Sequence, residues 1–144
     1  MEGARSLSGE TTSQVTHTLV LRSHSDALEE PVGAIVNPAN SHLGNEGGAA
    51  HEIEDAGGKD VQQACINYIQ EHKELEIGKA IHTAAGDLPC RYIIHIVGPK
   101  CKKEQEDYRS EMKKLKKAVR SVLNKMLELK INSISLLAIS TGLF

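Results

Sequence analysis

A chain of 144 residues, 40% hydrophobic and 25% charged, suits one domain with a buried core and is too apolar for a disordered polymer. Its formal net charge of -2, from 17 Lys and Arg against 19 Asp and Glu, gives no general attraction to nucleic acid or to an anionic membrane. No apolar run approaches the roughly 20 residues of a membrane-spanning helix, and the polar N-terminus does not read as a secretory signal.

Residues 1–14 are rich in Ser, Thr, Gly and Glu, the composition of a flexible tail. Val15 to Leu21 alternates with β-branched residues and predicts a first strand. Val32 to Val36 is wholly apolar, as a strand covered on both faces would be. Ala49, Ala50, Ile53 and Ala56 fit a short helix stopped by Gly57-Gly58, and Val61, Cys65 and Ile69 carry a second helix to about Lys73. Lys79 to Ala84 and Tyr92 to Val97 predict two strands, with a turn at Gly86-Asp87-Leu88-Pro89 between them. Met112, Leu115, Val119, Val122, Met126 and Leu129 recur at three- and four-residue intervals, marking a long amphipathic helix. Ser133 to Ile139 is the last strand. Strands interleaved with helices imply a three-layer α/β/α domain around a mostly parallel sheet, spanning residues 15–144.

Ligands of such sheets sit beyond the carboxyl ends of strands, where loops lead into helices. Two loops fit that description. Gly47-Gly48 precedes the short helix, where glycine permits close backbone approach and the first-turn N–H groups can face an anion. Taken alone, the pair also reads as a plain loop. The last strand runs into Ser140-Thr141-Gly142-Leu143-Phe144, small residues able to offer a second nest of backbone N–H groups. Two nests at one sheet edge suit a diphosphate. Neither has the lysine of a nucleotide-hydrolysing P-loop, and there is no G-x-G-x-x-G of a dinucleotide fold. Asp26 can accept a hydrogen bond from an exocyclic amine such as that of adenine, or serve as a turn aspartate. Asn40 is suited to a pair of ribose hydroxyls, and Asn37 to bracing the loop from inside.

Asp26 followed by "VGAIVNPAN", "GGAAHEIEDAGG", "IGKAIHTAAGDLP", "YIIHIVGP" and "SISLLAISTGLF" resembles the macrodomain, an ADP-ribose-binding module. In style the chain is most similar to macrodomains of multidomain ADP-ribosyltransferases. The resemblance covers about Leu19 to Phe144. It implies that Asp26 and the Ala27 backbone meet the adenine, and that Asn40 meets the distal ribose. It also implies a first phosphate loop of Gly47, Gly48, Ala49 and Ala50, and a second of Ser140, Thr141, Gly142, Leu143 and Phe144. The ligand would be ADP-ribose, free or on mono- or poly-ADP-ribosylated proteins, with no cofactor and no membrane partner. Hydrolytic members of one class carry aspartate where this chain has Ala50, so a reader without catalytic residues is expected. Removal of ADP-ribose from proteins, or action on a related metabolite, is the alternative, with Glu46 or His51 as its base. The family pattern continues through a further helix and strand after Phe144, and the chain is read as truncated there.

The remaining reactive side chains carry little. Cys65, Cys90 and Cys101 are odd in number and lack C-x-x-C spacing, so reduced thiols in an intracellular protein, nuclear or cytoplasmic, are expected. The seven histidines lack zinc-motif spacing, so no metal site is expected. His95, mid-strand, reads as a core histidine and His51 as a solvated one. The basic run from Lys113 to Arg120 reads as the wet face of the long helix, and nucleic acid is disfavoured.

Overall fold

The computed structural model describes residues 5–7, 15–17, 28, 31–44, 48–102 and 106–137. Among these residues nine elements follow in chain order: β1 (Arg5–Leu7), β2 (Val15–His17), β3 (Ala34–Ala39), α1 (Gly48–Gly57), α2 (Lys59–His72), β4 (Ala80–Ala84), β5 (Tyr92–Val97), α3 (Arg109–Leu129) and β6 (Ile134–Leu136). Four strands form one sheet in the order β4-β5-β3-β6. β3 runs parallel to both β5 and β6, while β4 is antiparallel to β5.

Strand alternation divides the core between two helical layers. Ile35 and Ile93 point to one face and pack with Ile53 of α1 and Val61 of α2. Ala34, Val36, Ile94 and Ile96 point to the other and meet Ala118 and Val122 of α3. A third cluster joins Ala39 and Val97 at the strand ends to Leu43, Cys65 and Leu75. Each fully buried Ile or Val contributes roughly 1.5–3 kcal/mol over exposure, so both layers are needed to hold the sheet. The expected three-layer α/β/α arrangement is the one observed.

Two expectations are corrected. β3 does not end at Val36 but continues through Asn37, Pro38 and Ala39, all paired in register with His95, Ile96 and Val97 of β5. Proline lacks a donor, but pairing with β6 involves only Ala34 to Val36, so Pro38 breaks no bond recorded on that side. Arg5–Leu7 pairs antiparallel with Val15–His17, beginning at Arg5↔His17. In α1 the buried stripe is Ala50, Ile53, Glu54 and Gly57, whereas Ala56 is exposed. An i, i+3, i+4, i+7 stripe from Ala50 turns Glu54 inward, and charge alone would have placed it outside.

Candidate functional site

At the carboxyl end of β3 the chain turns sharply under the control of one side chain. Asn40 Oδ1 accepts the N–H groups of His42 and Gly44, both at 3.0 Å, and Asn40 Nδ2 donates to the Gly44 carbonyl at 3.1 Å. This is an Asx-type turn, in which the side chain replaces a backbone partner. The Asn40 carbonyl also takes the Leu43 N–H at 3.0 Å, and the Ser41 carbonyl takes that of Leu75 at 2.7 Å. Leu43 sits at φ 53, a left-handed conformation costly for a branched residue, and is held there by burial against Ala39 and Leu75. Asn40 thus builds the loop, and only its second amide hydrogen stays outside these bonds.

The helix that follows opens at Gly48, at φ 63 with no heavy atom within 4 Å of where a Cβ would stand. The backbone there is open to a close approach. No acidic side chain occupies the first turn of α1, so the positive end of its dipole is not neutralised from within that turn. Ala49 packs against the cluster of Ile35 and Ile53, and so does Leu137, which follows β6. Ala50 is buried, while His51 is exposed and pairs with Asp55 at 3.3 Å. Asp26, Ala27, Gly47 and Ser140, Thr141, Gly142, Leu143 and Phe144 lie outside the described residues, as does Glu46.

Beneath the Asn40 turn a polar line crosses three strands. Asn37, fully buried, directs Nδ2 to Nδ1 of His95 at 3.0 Å, and Nε2 of His95 lies 2.9 Å from Thr83 Oγ1. An amide nitrogen can only donate, so Nδ1 is the acceptor and Nε2 carries the proton to Thr83. Burial, with a smaller contribution from His82, pushes His95 down to about 4, so the ring is neutral at physiological pH. With both nitrogens engaged it is a structural histidine. Among the described residues Asn37 Oδ1 has no hydrogen-bond partner. Bracing from within therefore falls to Asn40, and Asn37 belongs to the sheet interior. Thr83 was missed from the sequence, although alternation in two paired strands places it on the same face as His95.

The other reactive groups are muted. Glu54 is buried and accepts a hydrogen bond from the Cys65 thiol; desolvation raises Glu54 and pushes Cys65 up to about 12. Burial likewise raises Cys90, so neither thiol is an activated nucleophile. Among the described residues no three His, Cys, Asp or Glu side chains come together as a metal site.

A model of the Macro domain family matches residues 36–144. The chain belongs to the macrodomain family. This macrodomain is 39% identical to an uncharacterised protein of Sulfolobus acidocaldarius over 87% of its own length and 66% of the relative's. It is 36% identical to an O-acetyl-ADP-ribose deacetylase of Citrobacter rodentium, covering 84% of this chain and 67% of the enzyme. Similarity to the mouse protein mono-ADP-ribosyltransferase PARP9 is 32%, over 83% of this macrodomain and 14% of that longer chain. Among solved structures, an Oceanobacillus iheyensis macrodomain with ADP superposes with a TM-score of 0.73 at 34% identity, covering 81% of this chain and 62% of that one. A Trypanosoma brucei macrodomain in complex with ADP-ribose gives 0.66 at 28%, covering 78% and 43%. The chain thus spans about two thirds or less of the lengths of the first relatives it matches.

Proposed function

We propose that this macrodomain is a reader of ADP-ribose, free or attached to proteins as mono- or poly-ADP-ribose, acting inside the cell in nucleus or cytoplasm. The observation that carries this reading is the open first turn of α1 at Gly48, free of acidic side chains. Backbone N–H groups there suit a diphosphate, and they bind without breaking it. Two similar macrodomains support the ligand class, one solved with ADP and one with ADP-ribose. Asp26 supplies the adenine contact in this reading, and Ser140 to Phe144 close over the second phosphate and distal ribose.

Calorimetric titration with ADP-ribose, compared with AMP, tests the reading. ADP-ribose should bind saturably and more tightly than AMP. Asp26→Ala should weaken it about tenfold or more, the loss of a charge-assisted hydrogen bond worth about 1.5–3 kcal/mol. Equal affinity of variant and parent would remove Asp26 from the adenine site.

A hydrolytic reading draws on the similarity to the O-acetyl-ADP-ribose deacetylase. It is the weaker one, because Ala50 carries no acid or base. His51 is exposed and turned to Asp55, and His95 is buried with both nitrogens occupied. Turnover of O-acetyl-ADP-ribose abolished by His51→Ala or Glu46→Ala would reverse this preference.

A further inference from the structure

β4 is the end strand of the sheet, opposite β6, and among the described residues no strand pairs with its outer edge. A groove of about 410 Å³ runs along that edge, walled by α2 on one face of the sheet and by Lys125 of α3 on the other. The α2 wall offers Asn67, Tyr68 and Glu71, spaced so that Asn67 and Glu71 stand one helical turn apart. The opposite wall offers His82 and Lys125, with Lys125 Nζ 3.4 Å from His82 Nδ1 and 3.0 Å from Glu128. The strand between them supplies main-chain donors and acceptors, together with the Thr83 hydroxyl hydrogen that the bond from His95 leaves unused.

We propose that this groove receives an extended peptide segment of a partner protein, added to the sheet beside β4, whose successive side chains alternate between cation and anion. A strand laid against β4 sends alternate side chains to opposite faces of the sheet. One set meets Glu71, the other meets Lys125, so the opposite charges of the two walls select an alternating segment. A second copy of this chain fits less well. Two-fold pairing of β4 with β4 sets each wall beside its own image, Lys125 toward Lys125 and Glu71 toward Glu71. The site is two strands away from β3 and its loop.

The test uses the whole chain and a fluorescent peptide of repeated Lys-Glu, read by anisotropy, with amide exchange of β4 as the second readout. Saturable binding and slowed exchange in Ala80–Ala84 are expected. A peptide of the same composition in Lys-Lys-Glu-Glu blocks, and one with proline at every other position, should bind at least about tenfold more weakly. Glu71→Lys and Lys125→Glu should each weaken binding about tenfold, because each makes both walls alike. The double variant should restore it, since a one-residue shift of an alternating peptide exchanges the walls it faces. Should a charge swap fail to fold, Asn67→Arg, which fills the groove from the exposed face of α2, should block binding. No saturation, equal binding of the block peptide, or a double variant as weak as the singles would overturn the proposal.

Discussion

Asn40 grips Gly44 by both of its backbone groups, accepting its N–H at 3.0 Å and donating to its carbonyl at 3.1 Å. The loop between β3 and α1 therefore has one side chain as its frame. Asn40→Ala removes three hydrogen bonds, each worth about 0.5–1.5 kcal/mol where partly buried. A stability loss of about 1–2 kcal/mol and at least a tenfold loss of ADP-ribose affinity are expected. Asn40→Asp keeps both accepted bonds and should lose less stability, yet bind the anionic ligand poorly. Unchanged melting and affinity in the alanine variant would show that the turn holds itself.

The pH dependence of stability should carry the mark of His95. Its folded value near 4 lies below the ordinary 6.5, so between these values the unfolded chain binds the extra proton. Stability is then complete above about pH 6.5 and falls as pH drops toward 4. The full effect is on the order of 3 kcal/mol, two to three pKa units at about 1.4 kcal/mol each. His95→Gln should flatten the melting profile in this window, even if lower overall. A profile of the same slope would refute the assignment.

Glu54 acts in the opposite sense. Its carboxyl is raised by burial, so above the ordinary 4.5 the unfolded chain ionises first and stability declines with rising pH toward the folded value. Glu54→Gln removes that decline and keeps an acceptor for the Cys65 thiol. At pH 7 the variant should be at least as stable as the parent, with a steeper net loss on acidification. A loss of several kcal/mol at pH 7 would mean that the carboxylate is held by partners stronger than the thiol.

Gly86, at φ 59 in the turn between β4 and β5, lies against the carbonyl of Gly57, which also accepts the Asp87 N–H at 3.0 Å. A methyl group there would collide with that carbonyl and with Val61. Gly86→Ala should cost about 2–4 kcal/mol, combining left-handed strain with displacement of the α1–α2 junction. Chemical denaturation measures it, and a change under about 0.5 kcal/mol would contradict the geometry.

Layer order was legible because strand and helix periods are strong signals. Val32 to Val36 announced a buried strand, and Val122 announced the inner face of α3. What could not be read was parity. Asn37 and Asn40 look equivalent in "NPAN", and only pairing with β5 sets Asn37 opposite His95 while leaving Asn40 to the turn. Asn-Pro reads as a turn in isolation, but a parallel neighbour already supplying the ladder keeps it extended. Met112 fits the apolar spacing of α3 yet is exposed, because it lies on a flank of the stripe where no described element covers it. Asp26, Gly47 and Ser140 to Phe144 were expected at the nucleotide site from the ordered run of motifs, and they lie outside the described residues.

The sheet is closed by a bond between distant parts of the chain. The Gly33 N–H is shared by the carbonyl and hydroxyl of Ser133, at 3.1 and 3.0 Å, across 100 residues of sequence. β4 and β5, by contrast, meet through a short turn. During synthesis the hairpin and α2 can form early, while β3 stays open on its β6 side until Ser133 has left the ribosome. Closing so long a loop is entropically slow, and the second half of the proposed cleft waits upon it. Affinity for nucleotide should therefore arise late and abruptly in biogenesis, after most of the core has already gathered.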